Sequence, residues 1–442
     1  MARIYPFKGI VYNPDRIQNL GDVTTPPYDV ISESEQTDFY NRHPHNIIRL
    51  ILGKTEETDD SGNNRHTRAA ACFRQWLNDG VLIQETSPTL YLTGMTFMMN
   101  QQPVTRWGVI ARVGLETFDR KVILPHETTF SRVKSERLEL MNACHANFSP
   151  IFSLYSDPKN CLIGMLRQAV ENRIEAMNFV DSQGQSHRVW SITDSAVHQS
   201  VSDFMRDQAL FIADGHHRYE TALNYRNQVA ARSPALSPTH PANYVMMYLS
   251  AMEDPGLVIL PAHRIVRKTD PEQINRLFET GSQYFDIVSV PGIAETDSVT
   301  GNALIRAMQT DSDQTIIGVC MQSGSDFLAM KLKPGVMKNR YGQDVSENLL
   351  SLDVTVLTRL ILMDIMGLNA SQLDDENRIG YTSSVETAVK SVTEQPGAVA
   401  FLLNPTRIDQ VRQIAEAGEI MPRKTTYFYP KVITGLAINA LF

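Results

Sequence analysis

ALFIADGHHRYETALNYR, residues 209–226, is the stretch on which the reading of this chain turns. Its apolar run stops at Asp214 and Gly215 follows, so it reads as a buried strand, a tight turn and the start of a helix. Glycine has no Cβ, so the backbone there can approach a ligand closely. The N–H groups and dipole of a helix start favour an anion, and Arg218 adds a fork of donors matched to phosphate or carboxylate. His216 and His217 bring groups that titrate near neutral pH, and Asp214 is placed to hold a metal or to orient a histidine. A lone Asp-Gly pair is usually a helix-capping turn with surface histidines. Asp, Gly, two His and Arg together after a buried strand favour an anion site.

At 442 residues the chain exceeds the length at which one core keeps growing, so two or three domains are expected. A hydrophobic fraction of 42% with 20% charged residues is that of a folded globular protein rather than a disordered one. The 41 Lys and Arg against 49 Asp and Glu give a net charge of −8, which argues against broad nucleic-acid binding. Cys72, Cys144, Cys161 and Cys320 show no CxxC spacing, so neither a zinc knuckle nor a disulfide framework is indicated. The N-terminus lacks an apolar signal region and no stretch reaches the ~18 apolar residues of a membrane helix. A cytoplasmic protein with no membrane partner is expected.

Three regions are expected: an N-terminal α+β region over 1–155, an α/β region over 156–250 that holds the Asp-Gly-His-His-Arg turn, and a C-terminal α+β region over 251–442. In the first, TRAAACFRQWLNDG has helical spacing ending near Gly80. TLYLTGMTFMMN and VTRWGVIARVGL, joined by QQP, read as a hairpin, and the helix of SRVKSERLELMNACHANFSPIF gives way between Asn147 and Pro150. In the second, helical and strand patterns alternate, and AARSPALSPTHPAN (230–243) reads as a surface loop. In the third, NYVMMYLSAM, which begins just before its boundary, and LVILPAHRIV read as paired strands, and Asp270 caps a helix begun by Pro271. TIIGVCMQSG and DFLAMKLK read as a hairpin, and LDVTVLTRLILMDIMGL as a long apolar helix.

Four further segments carry candidate chemistry. LPHETTF places His126, Glu127 and Thr128 in a loop, followed by Lys134 and Arg137 three apart on one helix face. A carboxylate beside two cations suits general-base work on a hydroxyl, with the cations holding a phosphoryl group; the plain alternative is an exposed, charge-laced helix. VTTPPYDVIS puts Pro26 and Pro27 ahead of Tyr28 and Asp29, which either presents both side chains to a substrate or simply makes a turn. MPRKTTYFYPKV gathers Arg423, Lys424 and Lys431 among aromatics; Lys424 is a candidate phosphate contact, with an edge strand of solvated charges as the default. HExxH spacing is missing, as are GxxxxGK[ST] and GxGxxG, so zinc-hydrolase and common nucleotide motifs lend no support.

PPYDVI, HETTF with its basic helix and ANFSPIF, ADGHHRYETAL, LDVTVLTRLIL and MPRKTTYFYPK, in that order over nearly the whole length, resemble the bacterial and archaeal family catalogued as domain of unknown function 1015. The Asp-Gly-His-His-Arg turn also resembles the phosphate loop of free-serine kinases in the ParB and sulfiredoxin superfamily, with His217 where those kinases have threonine. That resemblance implies a mixed α/β or α+β fold with a ParB/sulfiredoxin-like phosphate-binding core and additional α+β domains. It implies phosphate contacts at Asp214, Gly215, His216 and Arg218, and a catalytic glutamate upstream, for which Glu127 is the candidate. The implied activity is phosphotransfer on a small hydroxy-amino acid, interconverting serine and O-phosphoserine in either direction, with ATP or ADP as the phosphoryl partner and Mg²⁺ at Asp214. A ParB-like nucleotide-dependent regulator and a metal-dependent phosphoesterase using Asp214, His216 and His217 are the alternatives.

Overall fold

A computed structural model describes residues 1–129, 131–233, 236–290, 308, 314–321 and 327–442. The chain forms two compact units, the first made of residues 1–258 with 430–442 and the second of 259–429. The boundaries expected at 155 and 250 therefore do not separate compact units. Strands on both sides of residue 155 share one sheet, and the last residues of the chain return to the first unit.

Nine strands build the sheet of the first unit: β1 (Ile4–Tyr5), β2 (Leu90–Met99), β3 (Gln102–Gly114), β4 (Ile123–Leu124), β5 (Ile151–Tyr155), β6 (Met177–Val180), β7 (Ser186–Ile192), β8 (Leu210–Asp214) and β9 (Tyr244–Ala251). Their order is β4-β8-β5-β9-β3-β2-β7-β6, with β1 against β3. The β8–β4 and β9–β5 pairs are parallel and the others antiparallel, so the fold is a mixed α+β one. The expected hairpin forms as β2–β3, with Met99 opposite Gln102. Asn100 and Gln101 turn it with φ of 48° and 63°, the left-handed pair that matches strand twist in a two-residue hairpin. Strand β9 is buried along its whole length because it lies centrally in the sheet.

Helices α2 (Ser131–Cys144), α3 (Cys161–Ala169), α4 (Ser195–Met205) and α5 (His216–Arg232) pack against this sheet, and α1 (Arg65–Asn78) packs on α2 in a second apolar cluster with Ile10, Tyr12 and Leu82. Helix α2 ends at Cys144, ahead of the expected 147–150. His145 takes φ 50°, its Nδ1 and the Tyr225 hydroxyl share a hydrogen bond of 2.8 Å, and Ala146–Asn147 then pairs with Asn439–Ala440. Of the expected loop over 230–243, residues 234 and 235 lie outside the described residues.

The second unit has a six-stranded sheet: β10 (His263–Val266), β11 (Phe285–Val290), β12 (Ile316–Met321), β13 (Phe327–Leu332), β14 (Ile379–Thr382) and β15 (Val399–Leu402), ordered β11-β13-β12-β15-β10-β14. The expected pairing of NYVMMYLSAM with LVILPAHRIV does not occur. Tyr244–Ala251 pairs with β3 and β5, and His263–Val266 with β14 and β15. Both come from largely apolar stretches, and such stretches carry no information about which partner buries them. The β12–β13 hairpin forms as expected, its connection at 322–326 lying outside the described residues. Asp270 caps the helix Pro271–Glu279 with a reciprocal box to Gln273. The apolar helix runs as a short α-turn, Asp353–Thr355, and a π-helical stretch, Val356–Ile365, closed by Gly367 at φ 74°. No helix among the described residues is long and apolar enough to cross a membrane.

Candidate anion site at the 214–218 turn

Strand β8 pairs Ile212 with Ser153 and Asp214 with Phe152, so Ala213 is an extra residue, a bulge at the strand's end. A bulge re-aims the residue that follows it, here Asp214. Gly215 then takes φ 97° and caps α5, where it has no side chain to offer the first-turn N–H groups. Helix α5 is fixed at a distance from the site. The Tyr219 hydroxyl donates to the Glu116 carbonyl at 2.7 Å and accepts from the Glu116 N–H at 3.0 Å, and Arg226 Nη1 donates to the Leu115 carbonyl at 2.9 Å. The helix start is thus held in place by contacts made one turn and more along the helix.

Asp214 lies between two cations. Its Oδ1 accepts from Lys431 Nζ at 2.7 Å and its Oδ2 from Arg218 Nη2, while Arg218 Nη1 donates to the Pro150 carbonyl. These three side chains are only 11–14% exposed. Burial by itself raises the Asp214 carboxyl, but Lys431 and Arg218 outweigh it and hold the group well below the usual carboxylate range. An ionised Asp214 repels phosphate, so its contribution to an anion site is to place Lys431 and Arg218, one from the chain's last segment and one from α5.

On the other side stand two histidines. The His126 backbone N–H donates to His216 Nε2 at 3.2 Å, and the two rings meet edge to face at 4.7 Å. A nitrogen that accepts an N–H carries no proton, so the His216 proton lies on Nδ1, which faces Glu127 Oε2 at 3.8 Å. Burial pushes His216 well below its ordinary value, assisted by the neighbouring His126. Burial also pulls His126 down to about 4, opposed by the Ile212 backbone and Asp214. Two neutral imidazoles therefore back Glu127 at neutral pH.

His217 is partly buried and lowered, first by desolvation; Asp29 and Glu220 oppose that shift, and Lys134 and Arg218 reinforce it. Lys134 Nζ donates to Glu220 Oε2 at 2.6 Å and the Thr129 hydroxyl to Glu220 Oε1 at 2.7 Å, tying the HETTF loop and α2 to α5. Arg137 lies 4.0 Å over the Tyr28 ring and donates to the Ile51 carbonyl at 2.7 Å. Burial pushes the Tyr28 hydroxyl up to about 12, with Asp29 adding to the rise. Beside them is a cavity of about 60 Å³, lined by Tyr28, Arg137, Leu140, Phe148, Arg218 and Thr221 among others. The Thr221 hydroxyl is buried without a hydrogen-bond partner.

The first unit thus gathers the expected residues Tyr28, Asp29, His126, Glu127, Lys134, Arg137 and 214–218. Lys424 is not among them: it belongs to the second unit, exposed, at φ 54°. Two functional candidates escaped the sequence reading. Lys431 was expected as a solvated edge charge and is instead buried against Asp214, a partner 217 residues away. Glu220 shares a helix face with His216, three and four residues being one turn, and that spacing was the available signal. The metal reading fits poorly, since both Asp214 oxygens are held by cations and His216 Nε2 is taken by a backbone N–H. Among the described residues no group of three or more His, Cys, Asp or Glu converges as a metal site requires.

Fold and turn together describe a mixed α+β protein in which a strand, a glycine turn and a helix start collect buried ions. The chain belongs to the family described as protein of unknown function (DUF1015), which matches residues 4–355. No curated protein matches it. Among solved structures it is similar to a conserved hypothetical protein from Pyrococcus furiosus, at 13% identity and TM-score 0.34, covering 76% of this chain and 97% of that one. It is also similar to a free serine kinase in complex with AMP, at 12% identity and TM-score 0.34, covering 74% and 92%. A third is SbnI with a C-terminal truncation from Staphylococcus aureus, at 10% identity and TM-score 0.33, covering 72% and 84%.

Proposed function

We propose that the first unit is a small-molecule phosphotransfer enzyme acting on the hydroxyl of a small hydroxy-amino acid, with serine and O-phosphoserine as the pair and ATP or ADP as the phosphoryl partner. On this reading β8, the Gly215 turn and α5 are the phosphate-holding piece of a ParB/sulfiredoxin-like core. The observation that carries it is the pairing of two features across one helix start: cations Arg218 and Lys431 set by Asp214, and Glu127 facing a His216 kept neutral.

The chemistry follows from those placements. First-turn N–H groups of α5, Arg218 and Lys431 hold phosphate oxygens and offset the charge that spreads over them in a loose transition state. Glu127 takes the proton of the attacking hydroxyl as the new O–P bond forms. The bond to the leaving phosphate oxygen breaks with its electron pair going to that oxygen. His216 Nδ1–H, directed at Glu127, steadies the carboxylate without competing for the proton. Asp214 does not suit Mg²⁺ while Lys431 and Arg218 occupy its oxygens, so no step is assigned to a metal. A cavity of about 60 Å³ beside Arg218 suits a short acceptor.

The test is phosphoryl exchange between labelled ATP and serine, and between ADP and O-phosphoserine, in Glu127→Gln. Loss of about 10²-fold or more in turnover at unchanged ADP affinity is expected of a general base. Turnover in E127Q equal to that of the parent chain would refute the assignment.

A further inference from the structure

Arg106, on β3, has no exposed surface and heads the largest fully buried side chains among the described residues. A guanidinium stays charged when buried, so placing one in a core is unfavourable unless something else is gained. Asp254 lies close enough for the guanidinium to favour its ionised form, and the direct contacts are directional. Nη1 donates to the Pro430 carbonyl at 2.7 Å, and the cation lies 4.7 Å over the Phe152 ring and 5.4 Å over Tyr248. Nε and Nη2 have no hydrogen-bond partner. An apolar side chain of similar volume would fill this space without that cost.

What Arg106 touches gives it a use. Pro430 directly precedes Lys431, whose ammonium meets Asp214, and Phe152 is the residue opposite Asp214 in the β5–β8 register. One buried cation therefore contacts the chain neighbour of one member of the Lys431–Asp214 pair and the cross-strand neighbour of the other. We propose that Arg106 is a positioning residue for the anion site, holding the 430–431 segment so that Lys431 meets Asp214 and faces the bound phosphate. The role of the bound phosphate rests on the phosphotransfer reading above; the effect of Arg106 on the ion pair does not.

The full chain and its Arg106→Met, Arg106→Lys, Lys431→Met and R106M/K431M variants are titrated calorimetrically with inorganic phosphate and ADP. The Asp214 carboxyl is followed by NMR on carbon-13-labelled aspartate. R106M is expected to weaken phosphate about tenfold and to shift the Asp214 titration upward, as K431M does. The double variant should bind no more weakly than K431M alone, because both changes remove one device. R106K, which keeps the charge and a donor for Pro430, should recover most of both readouts. Losses that add in the double variant, or a folded R106M that titrates and binds like the parent, would overturn the proposal. If R106M does not fold, Phe152→Leu takes its place with the same expectations, and a folded F152L indistinguishable from the parent overturns it equally. A parent chain that binds neither phosphate nor ADP would defeat the phosphotransfer reading, while the Asp214 titration would still decide what Arg106 does.

Discussion

At Gly215 a Cβ would stand 2.8 Å from Arg218 Nε in a backbone at φ 97°, so an alanine there both strains the turn and pushes the guanidinium from Asp214. Gly215→Ala should cost about 1–2 kcal/mol of stability, read by urea unfolding, and should lower phosphate affinity as well. Nearby, His126 is held at about 4 against an ordinary value of 6.5. The unfolded chain takes up its proton first on acidification, so stability falls as pH drops from about 6.5 to about 4, by on the order of 3 kcal/mol from this group. His126→Phe should flatten that part of the stability profile, and an unchanged slope would show that His126 is not its source. The Thr221 hydroxyl is buried with no partner, unlike Thr37, which donates to the carbonyl four residues back at 3.1 Å. Thr221→Val removes an unsatisfied group at nearly constant shape. It should leave the melting temperature level or higher while weakening serine binding, and a clear drop in stability would mean that the hydroxyl is already satisfied.

Helix α5 is aimed by Tyr219, whose hydroxyl both donates to and accepts from the Glu116 backbone and whose ring stacks on Phe118 at 5.4 Å. Tyr219→Phe keeps the ring and leaves part-buried backbone groups of Glu116 short of a partner. A loss of about 1–3 kcal/mol in urea unfolding is expected, and a loss near zero would mean that other contacts hold the helix. The elements themselves were mostly legible. The β2–β3 hairpin, the Asp270 cap and the strand–turn–helix at 209–226 follow from local patterns that their own residues satisfy. Where the answer depended on a distant partner, local pattern failed. Tyr244–Ala251 and His263–Val266 come from largely apolar stretches yet join different sheets, and the helix ahead of Phe148 stops early because residues 146–147 pair with 439–440.

The two units differ in how they use the chain. The second is one continuous stretch, 259–429, with its own apolar clusters, whereas the first borrows residues 430–442. That segment brings Ile438 against Ile10, with N–H to carbonyl bonds of 2.9 and 2.8 Å in both directions, buried Leu436 and Leu441, and Lys431 for Asp214. Ending the chain at Tyr429 should therefore leave 259–429 cooperatively folded while raising hydrogen exchange in 210–232, and adding a 430–442 peptide should reverse the change. Protection in 210–232 that is indifferent to the truncation would contradict this.

Sequence alone determined the strand, glycine turn and helix start at 209–226, the family resemblance and most element types, because each depends on residues within a turn or two of one another. It also supplied Glu127 and Arg137 as candidates, though not their distances. The tertiary structure decided that Asp214 pairs with Arg218 and Lys431, that His216 Nε2 accepts the His126 N–H so that Nδ1 faces Glu127, and that Lys431 reaches the 214–218 turn. Those facts arise from burial and from contacts between segments as far apart as 106, 214 and 431, and charge state and ion pairing are set by surroundings that no local pattern encodes.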